Sequence, residues 1–222
     1  MKITDISAQI KNPDRVNIHV DGKYLFSLDI FQVSQLGIKI GREFEQSELD
    51  DWKNESEFGK LYARALEYTM IRQHSAKEIR DYLWRKTRTT KVKSRTTGEI
   101  RDKAGVSKEI ADRVFERLVE KGYVDDERFT RYWLENRKLR TGSSKRKLVS
   151  ELRAKGVEQR IIDSLLPSSE RSDTDEIDKI IAKKRAKYDD QKLMQYLARQ
   201  GFDFDLIKEK LNEAQYQESE RD

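Results

Sequence analysis

GYVDDERFTRYWLENRKLRTGSSKRKLVSELRAKGVEQRIIDSLL, residues 122–166, decides the architecture. Within it Leu148, Leu152, Gly156, Ile161 and Leu165 are separated by 4, 4, 5 and 4 residues. Adding 45 to the first four lands on Leu193, Leu197, Gly201 and Leu206. The same shift takes Val157, Ile162 and Leu166 to Phe202, Ile207 and Leu211. A constant offset across so many apolar and glycine positions marks an internal repeat. A third copy lies upstream, where Ile79 and Leu83 match the first two positions and Gly105, Ile110 and Val114 the last three. There the step from leucine to glycine is 22 residues instead of 4, so 18 residues are inserted.

The repeat predicts helices. Leu148 and Leu152 form an apolar i, i+4 pair on one helix face. Ser143 or Ser144 can cap that helix by accepting from first-turn amides, and Gly156 suits a C-terminal position with positive φ. A second short helix carries Ile161, Ile162, Leu165 and Leu166, and Pro167 ends it. A preceding helix, roughly Asp126 to Leu139, lines up Phe129, Tyr132, Trp133 and Asn136. Helices this short do not stand alone, so three per module must stack on each other and on the next module.

The segments GYVDDERFTRYWLENR, GSSKRKL, ELRAKGV and IIDSLL together resemble the RecX family of RecA regulators, a resemblance that runs from about residue 60 to residue 212. It implies a helical repeat protein that binds the RecA–DNA filament and alters its activity. The expected fold is mainly α, with tandem three-helix modules forming an elongated repeat behind a small β-rich N-terminal domain. The expected domains are residues 1–50, a first helical module at 51–121 with a basic insertion near 85–104, a second at 122–167, and a third with a tail at 168–222.

At the N-terminus, Val16, Ile18 and Val20 alternate, Asp21-Gly22 signals a hairpin, and Tyr24 to Leu28 returns. A short helix is expected at Phe31 to Leu36, and a last strand or extended arm at Ile38 to Phe44. Ser47 is the expected cap of a connecting helix with Asp50 at its third position, and Ser75-Ala-Lys-Glu78 reads as a capping box. Asp175 to Tyr188 is expected as the first helix of the third module, and Asn212 to Asp222 as a frayed tail.

Composition narrows the function. The chain has 39% charged residues, 36% hydrophobic residues and no cysteine, which removes disulfides and thiolate chemistry. No leader-like or membrane-length apolar run is present, so a cytoplasmic location is expected. No phosphate loop or nucleophile elbow occurs, and His19 and His74 read as structural residues. The expectation is therefore a non-enzyme without cofactor or metal. Residues 59–166 hold 28 Lys/Arg against 16 Asp/Glu, net +12, whereas 1–58 and 167–222 are net −4 and −3. Such polarity is the footprint of a binder of nucleic acid or of an acidic surface.

Two basic stretches carry the candidate sites. Arg137, Lys138, Arg140, Lys145, Arg146 and Lys147 are six cations in eleven residues around a helix start, and Arg153 and Lys155 extend that surface. The insertion holds Arg85, Lys86, Arg88, Lys91, Lys93 and Arg95, a possible basic arm on phosphates, either as two short strands or without structure. Tyr132 and Trp133 read as core, and Asp125 and Asp126 as helix-start carboxylates. The expected function is a negative regulator of RecA, acting on the filament with single- or double-stranded DNA in repair, recombination and the SOS response, as a monomer. The alternative is a stand-alone nucleic-acid-binding protein.

Overall fold

The computed structural model describes residues 1–10, 12–94, 98–139, 142–166 and 172–219, without the side chains of 137–139 and 217–219. It is mainly helical, with ten helices and two small antiparallel sheets among the described residues. Two compact units form: Met1–Arg72 with Ile79–Tyr123, and Gln73–Glu78 with Val124–Asp222.

The first unit begins with strands β1 (Ile3–Gln9), β2 (Asn12–Val20) and β3 (Lys23–Asp29) in the order β1-β2-β3. Asp21 and Gly22 both have positive φ, +48° and +80°, as a two-residue hairpin turn with the right twist requires. Helix α1 (Ile30–Gln35) is capped by Asp29, whose carboxylate accepts from the Gln32 amide at 2.7 Å. Residues 38–44 form the extended arm of the two expected alternatives. The arm bonds the start of β1, with the Ile3 amide donating to the Arg42 carbonyl at 3.0 Å, the Gly41 amide to the Ile3 carbonyl at 2.8 Å and the Phe44 amide to the Met1 carbonyl at 3.0 Å, and Gly41 at φ +87° turns the chain out of a regular strand. Ile3, Ile18, Val20, Phe26, Leu28, Ile38 and Phe44 form the core here, completed by Leu49 and Trp52 of α2 (Gln46–Ile71). Thus α2 begins one residue before the expected cap. Glu45 takes the cap position, and Glu48 at the third helical position reaches back to the Glu45 amide at 3.2 Å. Glu48 thus closes the helix start by accepting from the cap residue's own amide, while Ser47, the expected cap, lies inside the helix.

Helix α3 (Ala76–Thr87) is followed by the hairpin β4 (Thr90–Lys93) and β5 (Ile100–Lys103), then by α4 (Lys108–Glu120), which packs on α2. The insertion is therefore the strand pair of the two expected outcomes. Its base is closed: the Val106 amide donates to the Lys86 carbonyl at 3.1 Å, and Gly105 lies against the Thr87 carbonyl so closely that a Cβ would sit 2.2 Å from it.

The second unit holds two three-helix modules: α5 (Asp126–Leu139), α6 (Lys145–Ala154) and α7 (Gln159–Leu165), then α8 (Asp173–Lys184), α9 (Asp190–Arg199) and α10 (Phe204–Ser219). The repeat positions Leu148, Leu152, Leu193 and Leu197 are all fully buried, in two separate clusters. Helix α8 ends before the expected Tyr188, but Tyr188 still packs on its module's core. The expected frayed tail is instead helical to Ser219. Ala214 packs on the core and the Gln215 side chain donates to Asp190, anchors that lie outside any simple apolar stripe.

One joint recurs in this unit. The start of α3 meets the end of α6: Ser75 Oγ donates to the Lys155 carbonyl at 2.7 Å and Lys77 Nζ to the Ala154 carbonyl at 2.9 Å. The start of α6 meets the end of α9: the Ser144 amide donates to the Gln200 carbonyl at 3.1 Å and Lys147 Nζ to Gln200 Oε1 at 2.7 Å. At both, a carboxylate from the first turn of the neighbouring module accepts from an amide at the helix start, Asp126 from Ala76 at 2.8 Å and Asp173 from Lys145 at 2.9 Å. The glycines permit the approach. Gly156 (φ +79°) and Gly201 (φ +85°) take left-handed backbone, and a Cβ at either would lie 2.7 Å from Lys77 Cβ or Ser144 Oγ.

Gly122 also has positive φ, +72°, but open space around it. Gly122→Ala should therefore cost about 1–2 kcal/mol for backbone conformation alone. Gly156→Ala and Gly201→Ala should each cost more, because the joint must also open. Urea unfolding of the three variants checks this order.

Candidate nucleic-acid and partner interface

The basic stretch of the second unit divides into engaged and exposed cations. The side chains of Arg137, Lys138 and Arg140 lie outside the described residues. Lys145 is half-buried where α6 starts, and Lys147 is held on Gln200. Lys155 Nζ is 2.6 Å from Glu78 Oε1 and 5.4 Å above the Trp133 ring. Arg146 and Arg153 are exposed, the latter with its Nε on Gln159 Oε1 at 2.6 Å. Two of these lysines thus tie modules together.

The acidic and aromatic residues of this stretch also take internal positions. Asp125 Oδ1 accepts from the Glu127 and Arg128 amides at 2.9 and 3.0 Å, so it caps α5. Asp126 serves the start of α3 instead. Phe129 is fully buried and Trp133 packs on it at 5.7 Å between ring centroids, in the core of its module.

The first unit contains a different arrangement. A cleft of about 390 Å³ lies between α2, the end of α3 and the base of the hairpin. Its cations are Lys60 and Arg64 of α2, Arg85 and Lys86 of α3, Arg88 and Lys103, against one carboxylate, Glu57. No ion pair among the described residues joins any of these six to a carboxylate. Burial pushes the Lys60 ammonium below the ordinary lysine range, and Arg15, Arg64 and Lys103 push it further while Glu57 opposes. The Arg15 guanidinium, buried and donating to the Ser27 carbonyl at 2.7 Å, is itself lowered mainly by burial. Like charges gathered in a partly desolvated cleft raise each other's energy, and an anion entering it relieves them all. Phosphate suits both parts of this set, with guanidinium forks for paired oxygens and ammonium groups as point charges.

Of the insertion's candidates, Arg85, Lys86 and Arg88 line this cleft. Lys91 and Lys93 are exposed on β4 away from its lining, and Arg95 lies outside the described residues. Lys60, Arg64 and Lys103 were not singled out from sequence. The signal was there for the first two, an i, i+4 pair of cations on one face of a long helix. Lys103 lies in the basic insertion, but only the hairpin's closed base brings it back to α3. Elsewhere in the unit, His19 pairs across the sheet with Tyr24, ring centroids 6.0 Å apart, with Nδ1 3.3 Å from Asp5.

Known proteins share this organisation. A sequence model of the regulatory protein RecX N-terminal domain matches residues 1–45, and one of the second three-helix domain of RecX matches residues 125–166. The regulatory protein RecX of Bacillus subtilis is 30% identical over 98% of this chain and 79% of its own length. The chain belongs to the RecX family. The Bacillus licheniformis RecX is 29% identical over 97% of the chain and 78% of its own. A crystal structure of regulatory protein RecX superposes with a TM-score of 0.67 at 20% identity, covering 93% of this chain and 97% of that one. The RecX structure from Lactobacillus salivarius gives 0.50 at 16%, over 71% and 96%. The likeness to solved RecX structures thus covers 93% of this chain. No helix among the described residues is long and apolar enough to cross a membrane.

The cleft makes a chemical prediction. A lowered pKa leaves more free amine at a given pH, so the pH midpoint for acetylation of Lys60 should lie below that of a free lysine side chain in a model peptide. Inorganic pyrophosphate should move the Lys60 midpoint upward. Peptide mass spectrometry after limited acetylation at a series of pH values, with and without pyrophosphate, reads both.

Proposed function

We propose that this RecX-family chain is a non-enzymatic, negative regulator of the RecA recombinase that binds the RecA–DNA filament. Membership of a family of regulatory proteins, joined to a cation-lined cleft without matching carboxylates, is the observation that carries the reading. Each module offers a surface of its own to the repeating filament. Cations of the first module meet filament phosphates, and those at 137–147 meet phosphates or acidic surface of the recombinase. Spanning neighbouring filament subunits opposes the rearrangement that strand exchange requires, and slows filament growth. The module limits at 51–121, 122–167 and 168–222 mark the units that would step along such a repeating target. The reading places the chain in the cytoplasm, in recombination, repair and the SOS response, with no cofactor.

A titration of the chain into RecA-driven strand exchange and DNA-dependent ATP hydrolysis tests this. Both rates should fall at or below stoichiometric amounts of the chain, and unchanged rates overturn the proposal. The quadruple variant Arg137→Glu, Lys138→Glu, Lys145→Glu, Arg146→Glu should lose most of the inhibition. A purely structural adaptor would be indifferent to that change.

The cleft also favours a second reading, a nucleic-acid-binding protein that needs no RecA. It predicts tight DNA binding by the chain alone, with log affinity falling linearly in log salt, by about 0.7–0.9 for each phosphate contacted. Lys60→Gln with Arg64→Gln should then flatten the slope by about two such contacts.

A further inference from the structure

Beside the cleft runs a groove of about 440 Å³ between α3 and α4, and the two differ in chemistry. Leu83, Ala111 and Phe115 give the groove an apolar floor, and Trp84 stands at its side. The indole is 59% exposed, whereas Leu83 next to it on α3 is 2% exposed and fixes that helix in place. Burying a tryptophan removes a large apolar area from water, so leaving one exposed on an ordered helix forgoes that stabilisation. The other two tryptophans do not behave this way: Trp52 is 3% exposed and Trp133 packs in its module's core.

The groove's rim is cationic. The Arg80 guanidinium lies 4.2 Å over the Phe115 ring, Lys108 borders the groove, and Asp112 is its one carboxylate. Arg88 connects the two features, since it lines the cleft and also places its guanidinium 5.1 Å over the Trp84 ring. An apolar peptide would cover the aromatic surface but leave these cations without partners. A stretch of nucleic acid answers both, with π-faces for the indole and phosphates for the cations on either side. Duplex DNA keeps its bases stacked internally and offers only the phosphates. Bases that are unpaired are the ones free to stack on protein aromatics.

We propose that Trp84 is a stacking platform for an unpaired nucleobase whose flanking phosphates lie in the adjacent cleft, so that the first module prefers single strands to duplex. This rests on the reading of that cleft as a phosphate site. It adds a base contact to it and a reason for discrimination between strand states.

Four ligands and three proteins test it without RecA. Affinities of the wild type, Trp84→Ala and Trp84→Phe are measured by anisotropy for labelled oligothymidylate, an abasic strand of equal length, the matching duplex and a labelled acidic peptide. For oligothymidylate, Trp84→Ala should weaken binding about tenfold and Trp84→Phe far less, in keeping with one lost base stack. For the abasic strand and the duplex, all three proteins should bind alike. Far-UV circular dichroism of both variants should match the wild type, because the side chain is exposed. Equal binding of oligothymidylate by wild type and Trp84→Ala overturns the stacking proposal and leaves the phosphate reading standing. So does a loss that Trp84→Ala shows equally on abasic strand and duplex. Failure of the wild type to bind any of the three nucleic acids overturns both, and preferential capture of the acidic peptide assigns the cleft to a protein partner.

Discussion

The middle helices α3, α6 and α9, ten to twelve residues long, leave a large fraction of their backbone groups at their ends, and in the second unit some of those groups are answered by a neighbouring module. Each α-helix carries four amides and four carbonyls with no partner of its own. In the second unit, the start of one module's middle helix is set against the end of the next module's middle helix, at Ser75–Lys155 and again at Ser144–Gln200. The donors at one end and the acceptors at the other are satisfied together, and the opposed ends of two macrodipoles are brought close. Only a residue without a side chain can sit at the point of closure. Gly156 and Gly201 therefore answer two constraints at once, a left-handed backbone and a neighbour within van der Waals reach. Within the second unit, the Ser144–Gln200 joint ties the last two modules to each other and lets residues far apart in sequence hold a common geometry.

The same joints sort the positive charge. Lys77, Lys147 and Lys155 are counted in any tally of basic residues, yet each makes a hydrogen bond or ion pair that holds modules together. The cations around the cleft of the first unit have no such employment among the described residues. Net charge alone therefore overstates what is available to a ligand in the second unit and understates how concentrated it is in the first. A uniform field would steer an anionic partner without positioning it. A cleft with guanidinium groups on two helices and a hairpin base can hold one phosphate in a defined place.

Much of the architecture was legible because it repeats. The 4-4-5-4 spacing located Leu148, Leu152, Leu193 and Leu197 in cores, and helix-start chemistry located the cap at Ser75 and narrowed the next to Ser143 or Ser144, of which Ser144 takes the role. Positions governed by a single long side chain were less so. Glu48 captures the start of α2 from three residues away, and Gln215 holds the C-terminal helix to Asp190 across 25 residues of sequence. Neither leaves a periodic trace. The basic cleft was half legible for a related reason: Arg85, Lys86 and Arg88 stood out as a run, while Lys60 and Lys103 come from segments 43 residues apart in sequence and meet only through tertiary structure. Charge runs are visible one segment at a time, and a binding site is a meeting of segments.

The closed base of the β4–β5 hairpin bears on how such chains diversify. In the later modules the step from middle-helix end to glycine is where another module plugs in, and length there is held to the residue. In the first module that same step carries the insertion, and its two stems are pinned at Lys86 and Val106. An excursion tied off in this way can lengthen, shorten or change composition with little effect on the helices beneath it. The hairpin is thus a natural grafting point, where specificity can be rewritten while the scaffold is inherited intact.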